Sequence, residues 1–570
     1  MSDHPTPPNA AFTIPEVADA VAAVVPDREL VAVGDRHLSY SEVAERSRRL
    51  GAYLRSRGLG CHTERGELPP QEVGQDMLGI YAYNGNEYVE AMLGAFRARV
   101  APFNVNYRYI ENELLYLLED AGATALVYNA AFAPALVTIL PRLPKLTVLI
   151  QIADESGNAL LDGAVDYEEA VATGGPESGL SSPEDHRALS PDDLYVLYTG
   201  GTTGMPKGVL WRQHDIYMSA CGGKDFYTGT PVGSYEAIAE RARSNPGLKV
   251  FVVPPLIHGA AQWAALTALA TGQSLVFPPP TGHLDPESIV RTIEHERPAV
   301  VMVVGDATAR PLLSVLERGD ADTSSIAIVA NGGAQLTPTI KQRLLDLLPN
   351  AIVMDGAGSS ETGAQMMHVS TAGSVTSGVF NPSSYTCVLS ENLDAVCEPG
   401  HDGIGWLAQR GFVPLGYKGD EKKTAATFPV IDGVRYALPG DRARHLEDGS
   451  LQLLGRDSVT INSGGEKIFV EEVESAIASH PAVVDVIVVG RPSERWGEEV
   501  VAIVVLADGT EHRVDEATII AHAADSVARY KLPKSVLFRP HIVRSPVGKA
   551  DYRWAREQAA AATQPAASPA

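Results

Sequence analysis

The sequence predicts an α/β protein: a large N-terminal domain of stacked α/β layers that includes a small β-rich subdomain, followed by a small α+β C-terminal domain. Three observations carry this. From about residue 76 to 355, short apolar runs alternate with amphipathic stretches, the pattern of largely parallel sheets covered by helices. Between 378 and 454 the runs shorten and are broken by Gly and Pro, as in GVRYALPGDRARHLEDGSLQLLGR, which predicts short strands and tight turns. After Arg456 a third texture begins, two helical and two strand-like segments that make a compact unit of about a hundred residues.

In chain order, MLGIYAYN (77–84), ATALVYN (123–129), KVFVVPP (249–255), AVVMVVG (299–305), IAIVANGG (326–333) and AIVMDGAG (351–358) read as strands buried on both faces. Helices are expected at 86–99, 285–296 and 337–348, the last opened by Thr337-Pro338 in cap and first-turn positions. In the third unit helices are expected at 470–479 and 516–528, with strands at 483–490 and 500–506. The expected division is therefore 1–455, with the β-rich subdomain at about 378–455, then 456–557, then a tail at 558–570 of Ala, Pro, Ser, Thr and Gln that is expected to be disordered. Ligands of such folds sit beyond the carboxyl ends of parallel strands, which directs attention to the loops after 304, 330 and 354.

The 570 residues suggest three or four domain-sized units, and 45% hydrophobic with 20% charged residues is an ordinary globular composition. A net charge of −24 argues against a general nucleic-acid binder or a binder of anionic membranes. Local charge differs: residues 526–556 carry a net charge of +7. The four cysteines show no paired metal-type spacing, the N-terminus has no basic start followed by an apolar run, and no apolar stretch approaches the roughly 20 residues of a membrane span. A cytoplasmic protein with no integral membrane segment is expected.

Chemistry concentrates first in LYTGGTTGMPKGVLWR (197–212), where Thr199, Gly200, Gly201, Thr202, Thr203 and Gly204 lead to Lys207. Glycines let backbone wrap phosphate oxygens, threonines add hydroxyl donors, and the lysine supplies a fixed positive charge. The G-x-x-x-x-G-K-[ST] nucleotide loop is not matched, since Pro206 precedes and Gly208 follows the lysine.

With its P-K-G ending, this segment resembles that of the acyl- and aryl-CoA synthetases, adenylation domains and luciferases, which make acyl adenylates. Further motifs follow in the family's order. Ala357-Gly358-Ser359-Ser360-Glu361 is similar to the aromatic-G-x-T-E motif, which implies Ser360 on the α-phosphate and Glu361 as the Mg²⁺ ligand, with Ala357 replacing the adenine-stacking aromatic. Gly333, Ala334, Gln335, Asp355 and Gly356 occupy the places that line adenine. Asp441, in YALPGD, corresponds to the aspartate on the ribose hydroxyls, and Arg456 to the arginine that opens the mobile C-terminal domain, with Ser458 as its hinge. Gly464 and Gly465 in SGGEK match the loop that meets the pantetheine arm, and Lys549 the lysine that reaches carboxylate and α-phosphate. His258 and Gly259, in PPLIHGAAQ, take the place of a gate between nucleotide and acyl tunnel, with a satisfied loop histidine as the alternative reading. Singly, Glu361 could be a cap, Asp441 a turn former and Arg456 a surface ion-pair partner; together and in order they point to one site.

The resemblance implies an ATP-dependent acyl-CoA ligase using ATP, Mg²⁺ and CoA, with Lys549, Glu361, Ser360 and Lys207 catalytic. It implies a carboxylic acid partner and leaves a homodimer open. An adenylating enzyme that loads a separate carrier protein or uses another acceptor shares the first half-reaction, and a nucleotide-binding protein without catalysis is the non-enzyme alternative. Several stretches, among them INSGGEKIFVEEVE and GKADYRWAREQ, look like the bacterial branch of steroid side-chain and long-chain acyl-CoA ligases. That look favours a large hydrophobic acid. Gly259, Ala260, Ala261, Ala264 and Ala265 fit either the wall of a wide tunnel or a tightly packed helix.

Overall fold

The computed structural model describes residues 11–174, 188–199, 205–226, 228–280, 282–463, 466–493, 496–510, 512–544 and 550–562. The first of two large sheets runs, in hydrogen-bonded order, Gly416–Tyr417, Lys207–Arg212, Leu194–Thr199, Ala101–Asn104, Met77–Tyr81, Ala125–Asn129, Val148–Ile152 and Ala164–Asp166. Its strands are parallel from Leu194–Thr199 onward, and Lys207–Arg212 folds back on Leu194–Thr199 as an antiparallel hairpin. The second sheet has a parallel ladder of Glu29–Val33, Ser274–Phe277, Lys249–Val252, Val300–Val303, Ile328–Gly332 and Ile352–Ser359. It then turns antiparallel through Gly363–Ser370 and Val379–Pro382 and continues without a break into Leu451–Arg456, Asp441–His445 and Gly405–Arg410 of the β-rich subdomain.

Strand periodicity explains the apolar runs. Leu78 and Ile80 point into the core between the two sheets, whereas Met77 and Tyr81 point into the outer core under Glu111–Ala121 and Ala133–Ile139. The inner core is completed by the helices Ile14–Ala22, Tyr40–Ser56, Asn86–Arg97 and Gly259–Thr271. Ile289, Ile293, Leu312, Leu313, Ile340 and Leu344, from three further helices, cover the outer face of the second sheet. These are the stacked layers expected.

In the C-terminal domain a long hairpin, Val483–Ser493 with Gly497–Leu506, is flanked by Ile461–Ser463 and by parallel Ser535–Phe538. Val486 and Val488 face Val470–Ala478 and Glu516–Ala523, while Ile487 and Val489 face Tyr552–Ala561. Beyond shifts of a few residues at element ends, three features differ from expectation. The helix expected at 516–528 stops at Ala523. The chain expected to be disordered from 558 stays helical to Ala561, because Ala555 and Ala559 are buried against the hairpin. Gly416–Tyr417, inside the expected β-rich subdomain, pairs instead with Lys207–Arg212 of the first sheet. All four cysteines are buried free thiols, and no helix among the described residues is long and apolar enough to cross a membrane.

Candidate active site

Carboxyl ends of three neighbouring parallel strands meet where the motifs predicted a site. Buried Asn331 is their joint: its Oδ1 accepts the Gly305 amide (2.7 Å), and its Nδ2 donates to the Ala334 carbonyl (3.0 Å) and to Asp355 Oδ1 (2.9 Å). Asp306 fastens the far side of the turn, donating its amide to the Gln335 carbonyl (3.2 Å) and accepting from the amide and hydroxyl of Thr337 (2.9 Å each). Thr337 is therefore the N-cap residue expected, with its hydroxyl spent on Asp306. Gly333 turns with φ +85°, a conformation glycine adopts without strain. Asp355 is buried and ion-paired with buried Lys341 at 2.6 Å, so its carboxylate holds the turn in shape. Beyond it Gly356 and Gly358 leave the strand end exposed, with Ala357 half-buried between them.

The following turn places the catalytic candidates. The Ser359 amide donates to Thr362 Oγ1 (2.9 Å), and the Ser360 carbonyl accepts from Trp211 Nε1 (2.9 Å), a residue of the strand that begins with Lys207. A Cβ at Gly358 would lie 2.1 Å from the Gly363 carbonyl oxygen, so only glycine permits this closure. Tyr417 Oη donates to Glu361 Oε1 (2.7 Å), and Asp420 pairs with Lys207. One short segment thus holds both the lysine of the first motif and the carboxylate of the second. Burial, then the Glu361 charge, pushes the Tyr417 phenol well above its usual range, so it stays a donor.

Thr199 and Lys207 face each other across the hairpin and define the ends of the Gly/Thr loop; Gly200, Gly201, Thr202, Thr203 and Gly204 lie outside the described residues. Buried Asn104 fixes the strand that enters this loop. It accepts from the Tyr198 amide (2.8 Å) and donates to the carbonyls of Tyr198 (2.8 Å) and Ile257 (2.7 Å). The second of those carbonyls precedes His258, which is the N-cap residue of Gly259–Thr271. Gly259 presses against the same strand: a Cβ there would lie 2.7 Å from Leu197 Cδ2. Ala261 and Ala265 are buried in the inner core, whereas Ala260 and Ala264 are half-exposed, so this helix both packs and presents a small-residue face.

Asp441 and Arg456 are directly opposed on their hairpin, with Arg456 Nε 3.4 Å from Asp441 Oδ1. Burial disfavours the Arg456 charge, but Asp441 and then Glu361 outweigh it, and the guanidinium stays firmly charged. Through Arg456 the expected ribose carboxylate and the expected metal carboxylate belong to one electrostatic cluster. Ser458 lies in the 3₁₀ turn Asp457–Val459 that leaves this strand. At the same point Glu471 of the C-terminal domain packs on Gly455, where a Cβ would come within 1.9 Å of its carboxylate. Gly464, Gly465 and Lys549 lie outside the described residues.

Sequence reasoning did not single out Asn104, Asn331, Tyr417 or Asp420. A signal existed for three of them: GYKGDEKK, which holds Tyr417 and Asp420, concentrates charge behind an aromatic, and Asn104 interrupts an apolar run.

Comparisons bear on this arrangement. Residues 18–417 match the AMP-binding enzyme family, and residues 472–549 match the AMP-binding enzyme C-terminal domain. The chain is 66% identical to the medium-chain acyl-CoA ligase Mig of Mycobacterium avium, over 98% of this chain and 100% of that protein. It is 40% identical to a 3-oxocholest-4-en-26-oate–CoA ligase of Rhodococcus rhodochrous, over 96% of each. Its fold is similar to that of a crystallised anthranilate CoA ligase in complex with anthranoyl-AMP, with a TM-score of 0.79 at 18% identity over 97% of this chain and 98% of that one. The fold, the ordered motifs and these matches agree: the chain belongs to the AMP-binding enzyme family.

Proposed function

We propose that this chain is an ATP-dependent, AMP-forming acyl-CoA ligase acting on a large hydrophobic carboxylic acid. The observation that carries the reading is the cluster in which Lys207, Glu361, Asp441 and Arg456 are drawn together at the mouth of the Gly/Thr loop. The names of the relatives, medium-chain and steroid-acid CoA ligases, support the acid class.

Resonance and negative charge make a carboxylate a poor electrophile, and joining it to AMP creates a leaving group. One carboxylate oxygen attacks the α-phosphorus of ATP, the bond to the bridging oxygen of the β-phosphate breaks, and pyrophosphate departs with that oxygen. Lys207 and Lys549 offset the charge, the Gly/Thr loop donates to phosphate oxygens, Ser360 meets the α-phosphate and Asp441 holds the ribose. Glu361 fits a Mg²⁺ site, since its Oε2 accepts no hydrogen bond among the described residues and Mg²⁺ is commonly held by one carboxylate, waters and substrate phosphates. Bound there, the ion neutralises phosphate charge.

In the second half the C-terminal domain turns about Ser458, exchanging Lys549 for the Gly464–Gly465 loop. The CoA sulfur attacks the acyl carbonyl carbon, AMP leaves, and the thiol proton passes to solvent. A panel of fatty, aromatic and steroid acids incubated with ATP, with and without CoA, tests the reading. The expected result is CoA-dependent AMP release with the highest kcat/KM for a large apolar acid. AMP release that ignores CoA, or activity confined to small aromatic acids, overturns it.

A further inference from the structure

The segment that holds Lys207 and Glu361 is followed at once by a third cation. Lys423 lies in the first turn of Glu421–Thr427, its amide donating to Asp420 Oδ1 (2.9 Å), and its ammonium stands 4.2 Å from the centroid of the Tyr417 ring. Tyr417 is the residue whose hydroxyl holds Glu361, so Lys423 borders the same site.

Its charge is differently placed from that of its neighbours. Lys207 has Asp420 and Arg456 has Asp441, whereas no carboxylate forms an ion pair with Lys423 among the described residues. Partial desolvation and then the Lys207 ammonium lower its pKa, against the weaker attraction of Glu361 and Asp420, although the side chain is exposed. Lys422, one position earlier, is exposed as Lys423 is and likewise makes no ion pair among the described residues; Lys423 differs in standing over the Tyr417 ring.

An ammonium beside a second ammonium and outside any ion pair is relieved by a polyanion, and phosphate oxygens are its natural acceptors. We infer that Lys423 binds the β- and γ-phosphates of ATP and, after transfer, the departing pyrophosphate. The inference rests on the ligase reading above and adds to it a contact at the leaving group.

Acid-dependent exchange of labelled pyrophosphate into ATP tests it, in wild type and in the Lys423→Gln, Lys423→Arg and Lys422→Gln variants. Thioester formation from supplied acyl adenylate and CoA is measured alongside, since that half-reaction uses no pyrophosphate. Lys423→Gln is expected to raise KM for pyrophosphate and for ATP by about tenfold, the size of one charge-assisted contact. Lys423→Arg restores most of that affinity, Lys422→Gln leaves it unchanged, and thioester formation is unaffected in all three. A pyrophosphate KM within twofold of wild type in Lys423→Gln, or an equal loss in Lys422→Gln, overturns the inference. So does a parallel fall in thioester formation, which marks general damage. Wild-type protein without acid-dependent exchange overturns the ligase reading itself, and the inference with it.

Discussion

Tyr417 is the smallest unit at which the site can be tested. Its hydroxyl is the hydrogen bond that orients Glu361, so Tyr417→Phe removes orientation while keeping the ring and its packing. The expected loss is about 3- to 10-fold in kcat/KM, in line with roughly 1 kcal/mol for one such bond, together with a higher Mg²⁺ concentration for half-maximal pyrophosphate release. An unchanged Mg²⁺ titration would show that Glu361 is placed by other means. Asp355 gives a complementary case, because its partner Lys341 is equally buried. Lys341→Met leaves a carboxylate enclosed without its cation, and urea unfolding should show a loss of about 3–5 kcal/mol. At this scale the sequence is only half legible. Glu361, Ser360 and Asp441 stand in motifs and were named from them. Tyr417 and Asn104 act through partners far away in the chain, and the local pattern around them, charge behind an aromatic and an asparagine within an apolar run, does not say which partner each one meets.

At the scale of elements, the central parallel strands were readable because they are buried on both faces and therefore almost wholly apolar, as at Met77–Tyr81 and Ala125–Asn129, where every position is buried. The two-residue strand Gly416–Tyr417 was not, since its pairing with Lys207–Arg212 depends on tertiary approach and its length is too short for any period. The hairpin Ile352–Ser359 with Gly363–Ser370 shows how an element can rest on one missing side chain. Gly358→Ala puts a methyl group 2.1 Å from a backbone oxygen, and no flexible neighbour can yield. The expected outcome is a shifted Ser359–Thr362 turn, with pyrophosphate release falling by at least about tenfold if the displacement approaches 1 Å. Thermal unfolding in parallel separates a local shift from collapse, and a fully active Gly358→Ala protein would contradict the geometry.

The whole molecule joins a layered body to a domain that carries its own pH sensitivity. Burial pushes Glu471 up to about 7 and Glu474 to about 8, the latter helped by its Glu471 neighbour and opposed by the Val488 amide that donates to it. Both folded-state values lie above the unfolded value of about 4.3, so their contribution to stability is complete below that value and is lost as pH rises through 7 and 8. Calorimetry should show Glu474→Gln gaining on wild type as pH goes from 6 to 8.5; a constant difference would refute the assignment. Lys549→Ala makes a second prediction at this scale. It should abolish acid-dependent pyrophosphate release while sparing thioester formation from supplied adenylate, and equal loss of both would deny the domain exchange. The positive charge of residues 526–556 is partly structural, since Lys531 pairs with Glu472 and Arg544 with Asp485. Net charge alone did not reveal that division. Finally, the unbroken ladder from the parallel strands through Val379–Pro382 into Leu451–Arg456 dictates where related genes can be recombined. A crossover near 378 would cut one hydrogen-bonded sheet into halves from different parents, whereas a crossover just after Arg456 severs no strand and exchanges the C-terminal domain as a cassette.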